Sequence, residues 1–213
     1  MKTDDLINML ASGPDTRAAP FPVARCVLMV GGGMLLAAVL LVALLGVRAD
    51  LSLAAAQPSF WQKLLYCAAV AIAGAYALSR LARPGARTSA LPVLLALPLV
   101  LISILAVLAV LAAAPEARPG LLWGVTWKVC PWLIAALSAP VMLAIVGVLK
   151  LLAPTRLRLT GAVAGLTSGA LAAAVYCLHC PEVGSPFVAC WYTLGMLIPA
   201  ALGALIAPRV LAW

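Results

Sequence analysis

Six long apolar runs, separated by short polar breaks, dominate the chain. They cover about Cys26–Val47, Trp61–Leu81, Ala90–Ala114, Pro131–Leu149, Leu159–Leu178 and Phe187–Ala207. Each run is continuous rather than alternating, the signature of a helix in lipid and not of a membrane barrel. Each is also long enough to cross about 30 Å of hydrocarbon. The pattern predicts an all-α, polytopic membrane protein with six transmembrane helices. Gly31-Gly32-Gly33 in the first run would let another backbone approach closely. Pro92 and Pro98 in the third predict a kink.

Composition agrees and charge adds an orientation. Hydrophobic residues make up 66% of the 213 and charged residues only 9%, against about 25% charged in an ordinary soluble domain. A net charge of +8 would suggest nucleic acid in a soluble protein. In a membrane protein, spare Lys and Arg mark the cytoplasmic loops, so no direct nucleic-acid contact is expected. With the N-terminus inside, the inner side collects Lys2, Arg17, Arg25, Arg80, Arg83, Arg87, Lys150, Arg156, Arg158 and Arg209. The outer side keeps Arg48, Lys63, Arg118 and Lys128, which is ten of the fourteen cations inside. Both termini are therefore expected in the cytoplasm, in a bacterial inner membrane. Trp61, Trp123, Trp127 and Trp132 then form a belt at the outer interface.

Two regions follow, an arm at 1–24 and a six-helix domain at 25–213. The arm's Thr3–Ala11 stretch reads as a short helix, with Thr3 as N-cap, Asp4 and Asp5 at the positive end of the dipole, and Gly13-Pro14 as the stop. Asp4, Asp5, Leu6 and Ile7 lie together on it. They suit either a helix on the bilayer surface or an anchor for a protein partner. A cleaved leader is not expected, because the first apolar run begins only after Arg25 and has spanning length.

No carboxylate or histidine stands in the middle of a run, which disfavours an ion-coupled transporter. Ser103 and Ser138 read as hydroxyls bonded back to their own helices. No phosphate loop, paired acid and base or Ser/His/Asp set is present, so no catalytic residue is assigned. Cysteine chemistry remains. Cys26 and Cys67 read as small apolar packing residues. Cys130 precedes Pro131, a good first helical residue, so its thiol sits at a helix N-terminus near Lys128, where a thiolate is favoured. Cys180 precedes Pro181 in the polar stretch Cys177-Leu-His-Cys180-Pro-Glu182, beside His179, the chain's only histidine. The C-x-x-C spacing occurs in redox pairs, metal sites and plain helix ends alike. Cys177, His179 and Cys190 are the further candidates for metal ligands, with His179 equally suited to tuning a thiol or to a plain interfacial polar role. No permanent cofactor is expected, and any metal would bind transiently at the outer cysteines.

Three segments carry a resemblance: Lys2-Thr-Asp-Asp-Leu-Ile7, Trp127-Lys-Val-Cys-Pro-Trp132, and Leu178-His-Cys-Pro-Glu182 with Pro186-Phe-Val-Ala-Cys-Trp-Tyr-Thr-Leu-Gly-Met196. Together they resemble the NrsF-like family of six-span bacterial membrane proteins, and the likeness extends over essentially the whole chain. The resemblance implies an anti-sigma factor that holds an extracytoplasmic-function (ECF) sigma factor inactive on the cytoplasmic side. It implies release under oxidative or heavy-metal stress, and an outward cysteine pair that falls here on Cys130 and Cys180. The sigma contact would then come from residues 1–24. The rival is a membrane thiol–disulfide oxidoreductase linked to quinone. That chemistry wants a second clear cysteine pair and a polar quinone site, and neither stands out in the sequence.

Overall fold

The computed structural model describes residues 3–11, 23–83, 88–152 and 154–212. The side chains of Leu6 and Ile7 lie outside the described residues, as do Lys2, Arg17 and Arg87 of the cation pattern. Among the described residues the secondary structure is helical throughout, with no strand. The arm contributes α1 (Thr3–Ala11), with Asp4 and Asp5 in its first turn. The six spanning helices are α2 (Val23–Leu44), α4 (Pro58–Leu81), α5 (Leu91–Ala112), α7 (Cys130–Lys150), α8 (Leu157–Tyr176) and α9 (Ser185–Val210). Two short helices, α3 (Leu51–Ala55) and α6 (Arg118–Trp123), occupy the loops after α2 and α5. The expected spans hold to within a few residues at each end.

The bundle is built around α8. Its share of buried positions, 78%, exceeds that of any other span, and α9, α7, α4 and α2 pack against it. The reason lies in its small residues. A side chain at Gly165 would run into the Pro199 carbonyl and come within 2.6 Å of the Ala200 Cα. Gly161 and Gly203 meet backbone to backbone along the same seam, and Gly169 sits against the Met196 backbone. In lipid, where apolar surfaces gain nothing by hiding from their surroundings, such close approach supplies the van der Waals contact that holds helices together. Of the three glycines in α2, only Gly33 serves in this way, against Pro140 and Val141 of α7. Gly31 and Gly32 meet nothing within 4 Å.

Most of α5 stays outside this core, with Val93, Leu97, Val100 and Leu108 exposed. That face is apolar because lipid is its solvent. The lone hydroxyls behave as expected: Ser103 donates to Leu99 O at 2.7 Å and Ser138 to Ala135 O at 2.6 Å.

α9 opens with a wider turn over Val188–Tyr192 before regular geometry resumes at Thr193. A π turn inserts an extra residue and re-aims its side chains. Here Tyr192 is fully buried, while Trp191 reaches out to donate to Leu122 O at 2.8 Å. Trp191 joins Trp123 and Trp127, with ring centroids 4.8–5.5 Å apart. This aromatic cluster caps the end of the bundle that carries α3 and α6.

Candidate functional site

The polar stretch after α8 is the hub of that end. α8 stops at Tyr176, and the next turns bring Cys177 and Cys180 back beneath it, with Cys180 N–H donating to Tyr176 O at 3.0 Å. Three segments distant in sequence then grip the stretch. Arg48 N–H donates to Leu178 O at 3.1 Å, and its guanidinium reaches Cys180 O at 3.3 Å. Lys63 of α4 donates from Nζ to Cys180 O at 3.1 Å and to Glu182 O at 2.8 Å. On the α6 side, Val125 N–H donates to Glu182 Oε1 at 2.7 Å. Gly124 makes that last bond feasible. Its φ of +53° suits glycine, and a side chain there would strike the Glu182 carboxylate at 2.7–2.8 Å.

Inside this frame lies a buried cluster of thiols. Cys67, Cys130, Cys177 and Cys180 all have 0% exposure. They lie as free thiols in one buried cluster, Cys130 neighbouring Cys180 and Cys67 neighbouring Cys177, and the Cys177 thiol donates to Ala173 O at 3.2 Å. α7 begins at Cys130 with Pro131 in its first turn, so the helix N-terminus expected from the Cys-Pro step is present. Thr126 Oγ1 approaches Cys180 Sγ at 3.9 Å. The Tyr192 hydroxyl is fully buried beside Cys177 and Cys180 and has no partner within ordinary hydrogen-bond geometry.

Electrostatics lower the pKa of both thiols outside the spans. The Cys130 thiol donating to Cys180 pulls the Cys180 pKa down to about 6 against the cost of burial; Lys63 and the Glu182 N–H add to the effect. Cys177 is lowered as well, chiefly by the hydrogen bond from Cys67 and then by Lys63. The same Lys63 thus faces both pairs. Its side chain is 1% exposed, and no carboxylate among the described residues pairs with it. A buried ammonium without a counter-charge costs several kcal/mol, so a neighbouring thiolate is its natural complement.

The other sequence candidates fall elsewhere. His179 is half-buried, with Nδ1 2.9 Å from Gly46 O and its ring against Tyr176; it braces the stretch to the end of α2. Cys190 is exposed on the π turn, and Cys26 lies half-buried in α2. Asp4 and Asp5 are exposed. Among the described residues no three His, Cys, Asp or Glu side chains converge as a metal site requires. Reading the sequence alone missed Lys63, Cys67 and Tyr192. Only the polar Lys63 inside an apolar run carried a signal, and counting it as a loop cation hid it.

The fold and the pocket define a class: a six-helix membrane protein whose candidate chemistry is confined to buried thiols at one end of the bundle. A family model described as negative regulator of sigma F, NrsF, matches residues 10–213. The chain belongs to the NrsF family. A probable anti-sigma-F factor NrsF of Azospira oryzae is 49% identical over 213 residues, which span 100% of both chains. The anti-sigma-F factor NrsF of Caulobacter vibrioides is 34% identical over 215 residues, again spanning 100% of both. No solved structure matches. The family is a regulatory one, and the chain is not an enzyme. The Cys67–Cys177 contact does provide the second thiol pair that a quinone-linked oxidoreductase would want, so family membership, rather than a shortage of thiols, sets that rival aside.

Proposed function

We propose that this chain is a membrane-bound anti-sigma factor of the bacterial inner membrane. It holds an ECF sigma factor at the cytoplasmic face and releases it when Cys130 and Cys180, facing the periplasm, sense oxidative or heavy-metal stress. The full-length likeness to anti-sigma-F factors supports the regulatory half of this reading. The contact between Cys130 and Cys180, from helix ends fifty residues apart in sequence, carries the sensory half. The excess of cations on the loops opposite the thiol pocket supports an N-terminus in the cytoplasm. There the exposed Asp4 and Asp5 of α1 are available to a basic sigma surface, and Leu6 and Ile7 complete the assigned contact.

The switch is a linkage: modification of the thiols favours one packing of α7, α8 and α9 and changes the affinity of the arm for its partner. A coupling of about 1–3 kcal/mol is ordinary for such a device. The test is copurification in mild detergent. The intact chain should bring down a sigma factor, and deletion of residues 2–11 should abolish this while the protein still inserts. A Cys130→Ser/Cys180→Ser double variant should insert, bind sigma and fail to induce normally. Normal induction by that variant would sink the sensory half, and retained copurification by the deletion would move the contact off the arm.

A further inference from the structure

The two sensor thiols are not equivalent. Cys130 sits in the first turn of α7, while Cys180 lies in a non-helical stretch whose carbonyl is clamped by Lys63 and Arg48. Lys63 spends two of its three N–H bonds on Cys180 O and Glu182 O, and its Nζ stands 5.4 Å from the Tyr192 ring centroid. The Tyr192 hydroxyl, buried and unpartnered, faces Cys180. A cation and an unused O–H donor beside a sulfur are what a nucleophilic thiolate and a departing oxygen need.

We infer that Cys180 is the attacking sulfur, Lys63 its positioning cation and Tyr192 the donor to the leaving oxygen, that Cys130 is the thiol that closes a disulfide, and that the co-reactant is a small hydroperoxide. This rests on the thiol-sensor reading above and names its chemistry. All four thiols have 0% exposure, so the co-reactant must be small. The site also offers hydrogen donors, which a metal does not use.

The step balances. The Cys180 thiolate attacks one peroxide oxygen, an S–O bond forms and the O–O bond breaks, oxidising the sulfur to a sulfenic acid and reducing the peroxide. The leaving oxygen takes up, through Tyr192, the proton that Cys180 gave up on ionising, and departs as water or an alcohol. The Cys130 sulfur then attacks the Cys180 sulfur, an S–S bond forms, the S–O bond breaks and water leaves with the Cys130 proton. One peroxide oxidises one dithiol.

The groups facing Cys180 are Lys63 from α4, Arg48 through the carbonyl, Cys130 from α7, Tyr176 and Cys177 from α8 and its end, Glu182 in the same stretch, and Tyr192 from α9. Of these, Lys63 is the cation that replacement can remove without touching a thiol.

The experiment treats the purified full chain with hydrogen peroxide, traps sulfenic acid with dimedone and locates the adduct by peptide mass. A Cys177→Ser background removes the neighbouring thiol that could also close a disulfide. In that background Cys130→Ser should accumulate adduct on Cys180, and Cys180→Ser should give less than about a tenth as much on Cys130. Lys63→Met should slow adduct formation roughly tenfold at neutral pH and make the rate climb through the ordinary thiol range near 8.5, where the parent is already flat. Lys63→Arg should restore the flat profile. Tyr192→Phe, close to isosteric, should slow the reaction several-fold with helical content unchanged.

Equal adducts on the two cysteines, adduct chiefly on Cys130, or an unchanged rate and pH profile in Lys63→Met would each overturn the assignment. If Lys63→Met fails to fold, the two cysteine variants and Tyr192→Phe decide it alone. Binding of cadmium ion at lower concentration than peroxide reacts would also count against it. The sensor reading fails separately, by normal induction in cells lacking both thiols.

Discussion

Replacing Gly165 by alanine adds one methyl group to the middle of α8, where the structure has no place for it. The new carbon would overlap the Pro199 carbonyl and stand 2.6 Å from the Ala200 Cα. Carbon atoms in contact prefer about 3.5–4.0 Å, so α8 and α9 must part by about 1 Å. The blocking atoms are backbone and cannot rotate aside. A gap of that size forfeits up to about half of the contact energy of the atoms it separates, and the Gly161–Gly203 contact opens with it. Overpacking of a tight core costs about 1–3 kcal/mol, and the upper end applies here, about a hundredfold in the folding equilibrium. Gly31→Ala is the control. Nothing lies within 4 Å of that position, and alanine favours a helix by about 0.8–1.0 kcal/mol over glycine, so that variant should be neutral or slightly stabilised. Unfolding of the purified proteins in a titration with sodium dodecyl sulfate, followed by helical signal, separates the two. Because α8 leads into Cys177 and Cys180 while α9 carries Tyr192, Gly165→Ala should also alter thiol reactivity. Equal stability of Gly165→Ala and the parent, or equal loss in Gly31→Ala, would refute the account of the seam.

Cys67 and Cys177 touch, so a double-mutant cycle with serine at both should show a coupling above about 0.5 kcal/mol, whereas Cys190→Ser, on an exposed side chain, should change stability by less than about 0.5 kcal/mol. Glu182→Gln weakens the bond from Val125 N–H, and amide exchange over residues 121–126 should accelerate while the spans stay protected. Arg48, hydrogen-bonded at 2.7 Å to each oxygen of Asp50, holds the Asp50 carboxyl below its usual range. The pair therefore stabilises the folded state at neutral pH and loses that contribution as pH falls through the lowered value. In Arg48→Gln the Asp50 titration, read by carboxyl NMR, should move back up toward about 3.9; no movement would mean the pair does not form.

The six spans, their ends to within a few residues, the lone serine back-bonds and the start of α7 at Cys130 were all legible in the order of residues. Hydropathy and the Cys-Pro step are local properties, and the backbone's need to bond itself in lipid leaves a long apolar run no form but a helix. The sequence also placed Cys130 and Cys180 among the residues of interest, through their prolines and through family likeness. Which thiols meet depends on how the folded helices are rotated against one another. These helices are apolar on nearly every side, so composition does not say which face turns inward. That choice is made by small residues, such as Gly161, Gly165 and Gly203, that match only in pairs. The rotation they set turns Cys67 toward Cys177 and buries Lys63 rather than leaving it at the interface. One extra residue in the π turn then carries Tyr192 into the pocket, because inserting a residue rotates every side chain before it relative to those after it.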